Sequence, residues 1–185
     1  LRAMGDAVLL VGRQLGQRAP ERRHHEQRVV AEAARAARSL GDRALDPAGA
    51  RVGIGEKALE PTDCSAVLER TLTNLKVAVE KSAAEITYDP LPTLMADPTQ
   101  LLQLFQNLIS NAIKFSGDAP PQIHISAVYE EDAWRFSVSD KGIGIPPEHT
   151  AQIFEIFQRL HSDRYPGTGI GLATCKKIVE RHKGR

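Results

Sequence analysis

Three polar side chains lie on one line of a predicted helix in the stretch LFQNLISNAIKFS, namely Asn107, Asn111 and Lys114. Steps of four and three residues put them on the same face of an α-helix. Asparagine is a poor helix former because its amide competes for backbone hydrogen bonds. Its neutral oxygen suits Mg²⁺, and a lysine one turn on suits phosphate oxygens. The line indicates a metal-phosphate site, although exposed asparagine pairs also occur on ordinary helices.

Asp140 ends a predicted strand and is followed by two glycines in DKGIGIP. Alternation along AWRFSVSD puts Asp140 on the apolar face of that strand. A carboxylate there needs a hydrogen-bond donor, while Gly142 and Gly144 leave the backbone open to a flat group. An adenine donating its exocyclic amine to Asp140 satisfies both conditions. The alternative is that Asp140 only caps a turn.

Three further glycines, Gly167, Gly169 and Gly171, stand before and inside the start of the last predicted helix. They leave a run of backbone N–H groups without side chains at a helix N-terminus, which favours an anion. No lysine follows them as in a Walker-type loop. A dinucleotide-binding loop is also excluded for DKGIGIP, because Pro146 and Pro147 replace the start of the phosphate-binding helix.

The segment FEIFQRLHSDRY joins these two glycine regions. Phe154 and Phe157 fall on one side of a predicted helical turn, and polar, turn-forming residues follow them. The pattern indicates a hinged lid with an apolar foot. The alternative is that both phenylalanines belong to the core.

An α+β arrangement positions these groups. A helix is predicted over 63–82 with Asp63 as N-cap, and another from Pro98 with Asp97 as N-cap. A last helix covers GIGLATCKKIVERH. Short strands are predicted at EITYD and PTLMA, and PQIHISAVY and AWRFSVSD form a hairpin about the turn EED.

The first 58 residues have a different composition from the rest of the chain. All nine aromatic residues lie beyond residue 87. Leu1, Met4, Val8, Val11 and Leu15 recur at steps of three and four, and a second such run follows residue 29. We expect an antiparallel helical hairpin over 1–58 that pairs with a second copy in a four-helix bundle, or alternatively a solvated arginine-rich tail.

Composition sets limits on partners and location. A formal net charge of +1 gives no global attraction to nucleic acid or to an anionic membrane. The two cysteines, Cys64 and Cys175, lack metal-ligand spacing and indicate reduced thiols. No apolar run approaches membrane-spanning length, so we expect a cytoplasmic chain without direct membrane contact.

From about residue 60 the chain resembles the catalytic ATP-binding domain of bacterial sensor histidine kinases, which are Bergerat-fold ATPases. QNLISNAIKFS resembles their N box, DKGIGIP their G1 box, FEIFQRL their F box and GTGIGLATCKKIVERH their G2 box. The resemblance implies a two-layer α/β sandwich with a mixed sheet over 59–185, preceded by the partial dimerisation hairpin over 1–58. It also implies ATP and Mg²⁺ as ligands.

The resemblance further assigns roles by position. Asn111 would hold Mg²⁺, Asp140 would accept from adenine, and Lys114 would meet the phosphates. The remaining nucleotide-site residues implied are Gly142, Gly144, Ile145, Phe157, Gly167, Thr168, Gly169, Gly171 and Leu172.

Asn107 bears on the reaction. Hydrolysing relatives carry a glutamate at this position, and an amide is a poor general base. With Asn107 and Lys114 as catalytic residues, we expect phosphoryl transfer to a histidine and then to an aspartate of a response regulator. The alternatives are a degenerate nucleotide-binding dimerisation module and a Bergerat-fold ATP hydrolase.

Two departures from the family pattern carry expectations of their own. The acceptor-histidine pattern of the family is absent, so the chain is expected not to label itself. Family members continue past the last helix with two strands, whereas this chain ends at Arg185. We therefore expect an unpaired sheet edge and reduced stability. The implied partners are a second copy, a response regulator receiver domain and an upstream sensor domain.

Overall fold

The computed structural model describes residues 5–13, 58–130, 133–150, 152–158, 165 and 167–184. Its strands are β1 Gly5–Arg13, β2 Glu60–Asp63, β3 Glu85–Tyr88, β4 Thr93–Ala96, β5 Gln122–Glu130 and β6 Ala133–Asp140. Its helices are α1 Cys64–Asn74, α2 Lys76–Ser82, α3 Pro98–Lys114 and α4 Gly171–Arg181. Two short 3₁₀ turns, Pro147–His149 and Gln152–Phe154, lie between β6 and α4.

A mixed four-stranded sheet has the strand order β1-β6-β5-β3. β6 runs antiparallel to both β1 and β5, and β3 runs parallel to β5. β2 and β4 form a separate antiparallel pair. The predicted strands at 85–89 and 92–96 and the predicted hairpin are confirmed, so the α+β class is correct.

The helices cover one face of this sheet. Alternate residues of the central hairpin, Ile123 and Ile125 on β5 and Phe136 and Val138 on β6, are buried. Phe105 of α3 meets Phe136 edge to face, with ring centroids 6.1 Å apart. The opposite face carries polar pairs such as Arg135 with Glu130, whose Nη2 and Oε1 atoms are 2.7 Å apart. The result is a two-layer sandwich.

α3 begins and packs as its sequence predicts. The carboxylate of Asp97 accepts hydrogen bonds from the backbone N–H groups of Thr99 and Gln100, at 2.9 and 3.2 Å, and Pro98 occupies the first turn. Its apolar line is buried: Leu101, Leu104, Phe105, Leu108, Ile109 and Ala112. The polar line of α3 therefore lies on another side of the helix, towards the candidate site.

The predicted helix over 63–82 is two helices that meet at Leu75, which is a correction. Asp63 caps α1 as expected, accepting from Ser65 and Ala66. Thr71 and Thr73 turn their hydroxyls back to the carbonyls of the preceding turn, at 2.8 and 3.0 Å. Such back-bonding bends helices, which accounts for the interruption.

The predicted helix at the N-terminus is wrong for Gly5–Arg13, which form strand β1. This segment contains the short apolar run AVLLV, and periodicity alone cannot distinguish a buried strand from a helix in such a run. β1 pairs with β6 from Gly5 opposite Asp140 to Arg13 opposite Ala133. β6 is therefore paired on both sides, and among the described strands β1 and β3 are the edges of this sheet. The rest of the predicted hairpin, 1–4 and 14–57, lies outside the described residues.

The phenylalanines of FEIFQRL do not lie in the core. The side chain of Phe157 is 72% exposed and Phe154 is also exposed. The helical turn ends at Phe154, and Phe157 has a φ of +68°. The interpretation of both residues as core is therefore wrong.

Within the described part of the chain, no helix has the length and apolarity required to cross a membrane.

Candidate functional site

The polar line of α3 is partly buried where it reaches the last two turns of the helix. Asn107, Asn111 and Lys114 are all half-buried, whereas Gln103 on the same line is exposed. The side-chain N–H of Asn107 donates to the carbonyl oxygen of Gly171 at 3.3 Å. This bond joins the middle of α3 to the first residue of α4.

Asp140 lies at the end of β6 and shapes the loop that follows. Its Oδ1 accepts a hydrogen bond of 2.7 Å from the backbone N–H of Gly142. Asp140 therefore does cap a turn. A carboxylate offers about four acceptor positions, so this bond is compatible with acceptance from a base as well.

Gly142 is buried at a point where no side chain fits. A Cβ there would lie 2.5 Å from the carbonyl oxygen of Phe115 and 2.7 Å from Oδ1 of Asp140. The same Phe115 carbonyl accepts a hydrogen bond of 2.9 Å from the N–H of Ile143. The loop after β6 is thus held directly against the C-terminal end of α3.

Lys114 lies between Phe115 and the glycine segment. Its Nζ is 4.7 Å from the centroid of the Phe115 ring. A Cβ at Gly167 would be 2.7 Å from that Nζ. The ammonium therefore lies against the glycine segment that precedes α4.

The FEIFQRL segment meets the same glycines. The N–H of Phe157 donates to the carbonyl of Gly169 at 3.0 Å. Gly169 has a φ of +70°, and a Cβ there would be 2.8 Å from the carbonyl carbon of Phe157. Only glycine fits this position without strain.

The other predicted site residues lie around this centre. Gly144 has a φ of +72°. Ile145 and Thr168 are exposed, and Leu172 packs against the hydrophobic core. Ile145 and Thr168 are therefore more accessible to a ligand than Leu172 is.

Sequence reasoning missed two aromatic residues, Phe115 and Tyr165. Their rings meet edge to face with centroids 5.0 Å apart. The available signals were an aromatic residue directly after Lys114 and a tyrosine two residues before Gly167. Neither signal reveals that the two rings touch.

Both cysteines are free and buried. Burial raises the pKa of Cys175 to about 12, and a hydrogen bond with Asn107 lowers it to a smaller extent. Burial, with a smaller contribution from the charge of Asp63, raises the pKa of Cys64 to about 12. Both thiols are protonated at neutral pH, so neither is a candidate nucleophile.

No cluster of three or more His, Cys, Asp or Glu residues occurs among the residues that the structure describes. The polar groups near the end of α3 are instead amide oxygens, which can ligate a cation, and a lysine, which pairs with phosphate oxygens. The amide oxygens suit a cation that takes few protein ligands and completes its shell with water and phosphate oxygens, as Mg²⁺ does.

Residues 96–185 match the family of histidine kinase-, DNA gyrase B- and HSP90-like ATPases, and this part of the chain belongs to that family. The fold is accordingly of the Bergerat type. Over 129 residues the chain is 57% identical to cyanobacterial phytochrome A of Nostoc sp. The aligned region makes up 69% of this chain and 17% of that protein.

Two solved structures have a similar fold. The mycobacterial sensor histidine kinase MprB is 27% identical, with a TM-score of 0.57, over 68% of this chain and 80% of that one. Full-length ShkA in complex with AMPPNP is 30% identical, with a TM-score of 0.58, over 69% of this chain and 27% of that one. MprB is a sensor histidine kinase by name, and the chain spans only 17% of phytochrome A and 27% of ShkA.

Proposed function

We propose that this chain binds Mg-ATP and is the catalytic part of a histidine kinase in a two-component system. The main observation in support of this proposal is that the last turns of α3 contact both glycine regions. The Phe115 carbonyl bonds to the loop after Asp140, and Asn107 and Lys114 meet the segment Gly167–Gly171. The four motifs that resemble kinase boxes thus share one surface, and this convergence supports a single nucleotide site.

The base would bind at Asp140. Its carboxylate is half-buried and accepts from the Gly142 N–H, and a carboxylate with about four acceptor positions can accept from an exocyclic amine as well. Gly142 has no room for a side chain, and Gly144 and the exposed Ile145 border the same loop. A flat apolar ring with one donor fits this arrangement.

Mg²⁺ would bind at Asn111, and the triphosphate would lie along Lys114 and the backbone of the glycine segment. When bound, the ion supplies positive charge that neutralises the phosphate oxygens during transfer. Lys114 adds a point charge, and the N-terminus of α4 adds the partial positive charge of its free N–H groups.

Phosphoryl transfer fits Asn107 better than hydrolysis does. Its side-chain N–H donates to Gly171, and an amide does not take a proton from water at neutral pH. In the proposed reaction a histidine nitrogen attacks the γ-phosphorus, the bond to the bridging oxygen breaks and ADP leaves. The phosphoryl group then passes to an aspartate of a response regulator. Asn107 and Lys114 contribute positioning and charge.

The whole protein would act as a homodimer with a receiver domain as partner and a sensor domain upstream. The support is the similarity to phytochrome A and to sensor kinases, of which this chain spans a part. We also propose a cytoplasmic location, where ATP and Mg²⁺ are available.

The first test is calorimetric titration of Mg-ATP into the wild-type chain and Asp140→Asn. An asparagine that accepts from Gly142 turns its NH₂ towards the base, so two donors would oppose each other. Loss of a charged hydrogen bond predicts a fall in affinity of about ten- to a hundredfold. The matched control is Asp89→Asn, because Asp89 is exposed and pairs only loosely with His124, at 3.5 Å. A wild-type affinity in Asp140→Asn would place the base pocket elsewhere.

The second test is transfer of label from γ-labelled ATP to a separately supplied dimerisation domain that carries the histidine. Transfer that requires Asn107 and Lys114 supports the kinase. ATP binding without transfer would favour a degenerate nucleotide-binding module. Rapid phosphate release without an acceptor would favour a hydrolase.

A further inference from the structure

The ring of Phe115 contacts side chains from two sides. On one side the Lys114 ammonium lies 4.7 Å from the ring centroid. On another, Tyr165 meets the ring edge to face, with centroids 5.0 Å apart and planes at 62°. Tyr165 is distant in sequence from α3, so this contact is tertiary.

The backbone of Phe115 is fixed as well. Its N–H donates to the backbone carbonyl of Asn111 at 2.9 Å, and its carbonyl accepts from the N–H of Ile143, also at 2.9 Å. With the backbone held at both groups, the remaining freedom of this residue is rotation of its ring. Tyr165 is the aromatic neighbour that opposes this rotation among the described residues.

Lys114 depends on the orientation of that ring. A cation within about 6 Å of an aromatic centroid is attracted to the ring face, and this attraction is lost when the ring turns its edge to the cation. On its other side the ammonium faces Gly167, where a Cβ would approach it to 2.7 Å. The ammonium thus lies in a slot between the Phe115 ring and the backbone at Gly167.

We propose that Tyr165 is a positioning residue for phosphate binding, which holds the Phe115 ring so that the ring keeps the Lys114 ammonium beside the glycine segment. This inference rests on the proposed function, because it takes the phosphates of ATP as the partner of Lys114. Tyr165 does not itself need to touch the nucleotide.

A double-mutant cycle tests the proposal by calorimetry with Mg-ATP. Tyr165→Ala should lower the affinity about three- to tenfold, the range that an aromatic pair can supply. Lys114→Met should lower it as well. In the Lys114→Met background, Tyr165→Ala should have no further effect, because the residue through which it acts is gone. Fully additive losses would overturn the proposal.

Two comparison variants separate positioning from general damage to the fold. Tyr165→Phe keeps the ring and should retain the wild-type affinity; a loss equal to that of Tyr165→Ala would place the effect in the hydroxyl and overturn the proposal. Tyr129→Ala removes a half-buried tyrosine from a similar pair, with Trp134 at 5.3 Å, at the end of the hairpin far from Asp140. It should leave ATP affinity unchanged.

A measurement without nucleotide distinguishes this inference from the proposed function. Ring current from Phe115 should shift the side-chain methylene resonances of Lys114 upfield in NMR spectra. The shift should shrink in Tyr165→Ala and persist in Tyr165→Phe, whether or not ATP binds. An unchanged shift in Tyr165→Ala would refute the positioning role alone. Absence of ATP binding in the wild type would refute the proposed function, and with it the role in phosphate binding.

Discussion

Nε2 of His182 accepts a hydrogen bond of 3.0 Å from the backbone N–H of Asp97, the residue that caps α3. Its Nδ1 lies 2.7 Å from the carbonyl oxygen of Ile178, so Nδ1 carries the proton and Nε2 the lone pair. Both His182 and Asp97 are buried, at 2% and 3% exposure. The end of α4 is therefore bonded to the start of the helix that carries the candidate site.

This bond predicts different outcomes for two substitutions of His182. His182→Leu leaves the Asp97 N–H buried without an acceptor, which costs about 1–3 kcal/mol of unfolding free energy. His182→Gln can place its amide oxygen near the Nε2 position and should lose less. Urea unfolding followed by circular dichroism measures both. Equal losses would mean that the ring's volume, and not the hydrogen bond, stabilises this contact.

Gly169 and Gly171 are two residues apart and should respond oppositely to alanine. Gly169→Ala places a Cβ at φ +70° and 2.8 Å from the backbone of Phe157, so it should destabilise the fold. Gly171 is helical, and its Cβ would meet Asn107 at an ordinary 3.8 Å. Gly171→Ala should therefore raise the unfolding free energy by about 0.5–1 kcal/mol.

The same pair tests the anion site. If the backbone at the start of α4 approaches the triphosphate, Gly171→Ala should weaken Mg-ATP binding while it raises the melting temperature. Thermal unfolding and calorimetry on the one variant give both values. A variant that gains stability and keeps its affinity would remove Gly171 from the nucleotide site.

The two buried thiols predict instability at alkaline pH. The pKa of each rises from the model-compound value of 9.0 to about 12, mainly because burial disfavours the thiolate. The stabilisation is therefore complete below pH 9, where the unfolded thiols are also protonated, and it is lost as the pH rises towards 12. At pH 10 each thiol should lower the free energy of unfolding by about 1 kcal/mol.

The measurement compares the wild type with Cys64→Ala/Cys175→Ala by urea unfolding at pH 7 and pH 10. Lysines and tyrosines titrate in both proteins, so the difference between them isolates the thiols. The double variant should lose less stability than the wild type between the two pH values. Parallel losses would contradict the burial of the two thiols.

The helix α3 was predictable from sequence because its signals are local. Asp97, Pro98 and the apolar spacing act within one or two turns, and the polar line follows from helical geometry alone. Strand β1 was not predictable for the opposite reason. Its run AVLLV suits helix or strand equally, and the choice depends on pairing with β6, more than a hundred residues further along the chain.

Some residues of the candidate site were likewise predictable from sequence, and others were not. Asp140 and the glycines have residue types that suggest the roles we propose for them, since a carboxylate can accept from more than one donor and only glycine fits at Gly142 or Gly169. The contact between Phe115 and Tyr165 has no such signature, because aromatic residues usually pack in cores. It arises only from the tertiary fold.

Asn111 should determine how strongly ATP binding depends on Mg²⁺. Its half-buried amide lies one turn before Phe115, and it is the amide of α3 that we assign to the metal. Asn111→Ala should lower the affinity for ATP in Mg²⁺ about tenfold or more and change it little in excess chelator, because the base and lysine contacts persist. The matched control is Gln103→Ala, which removes an exposed amide from the same line two turns earlier and should leave both affinities unchanged. If Asn111→Ala weakens binding equally with and without Mg²⁺, the amide contacts the nucleotide or supports the fold, and the metal must be held by another residue.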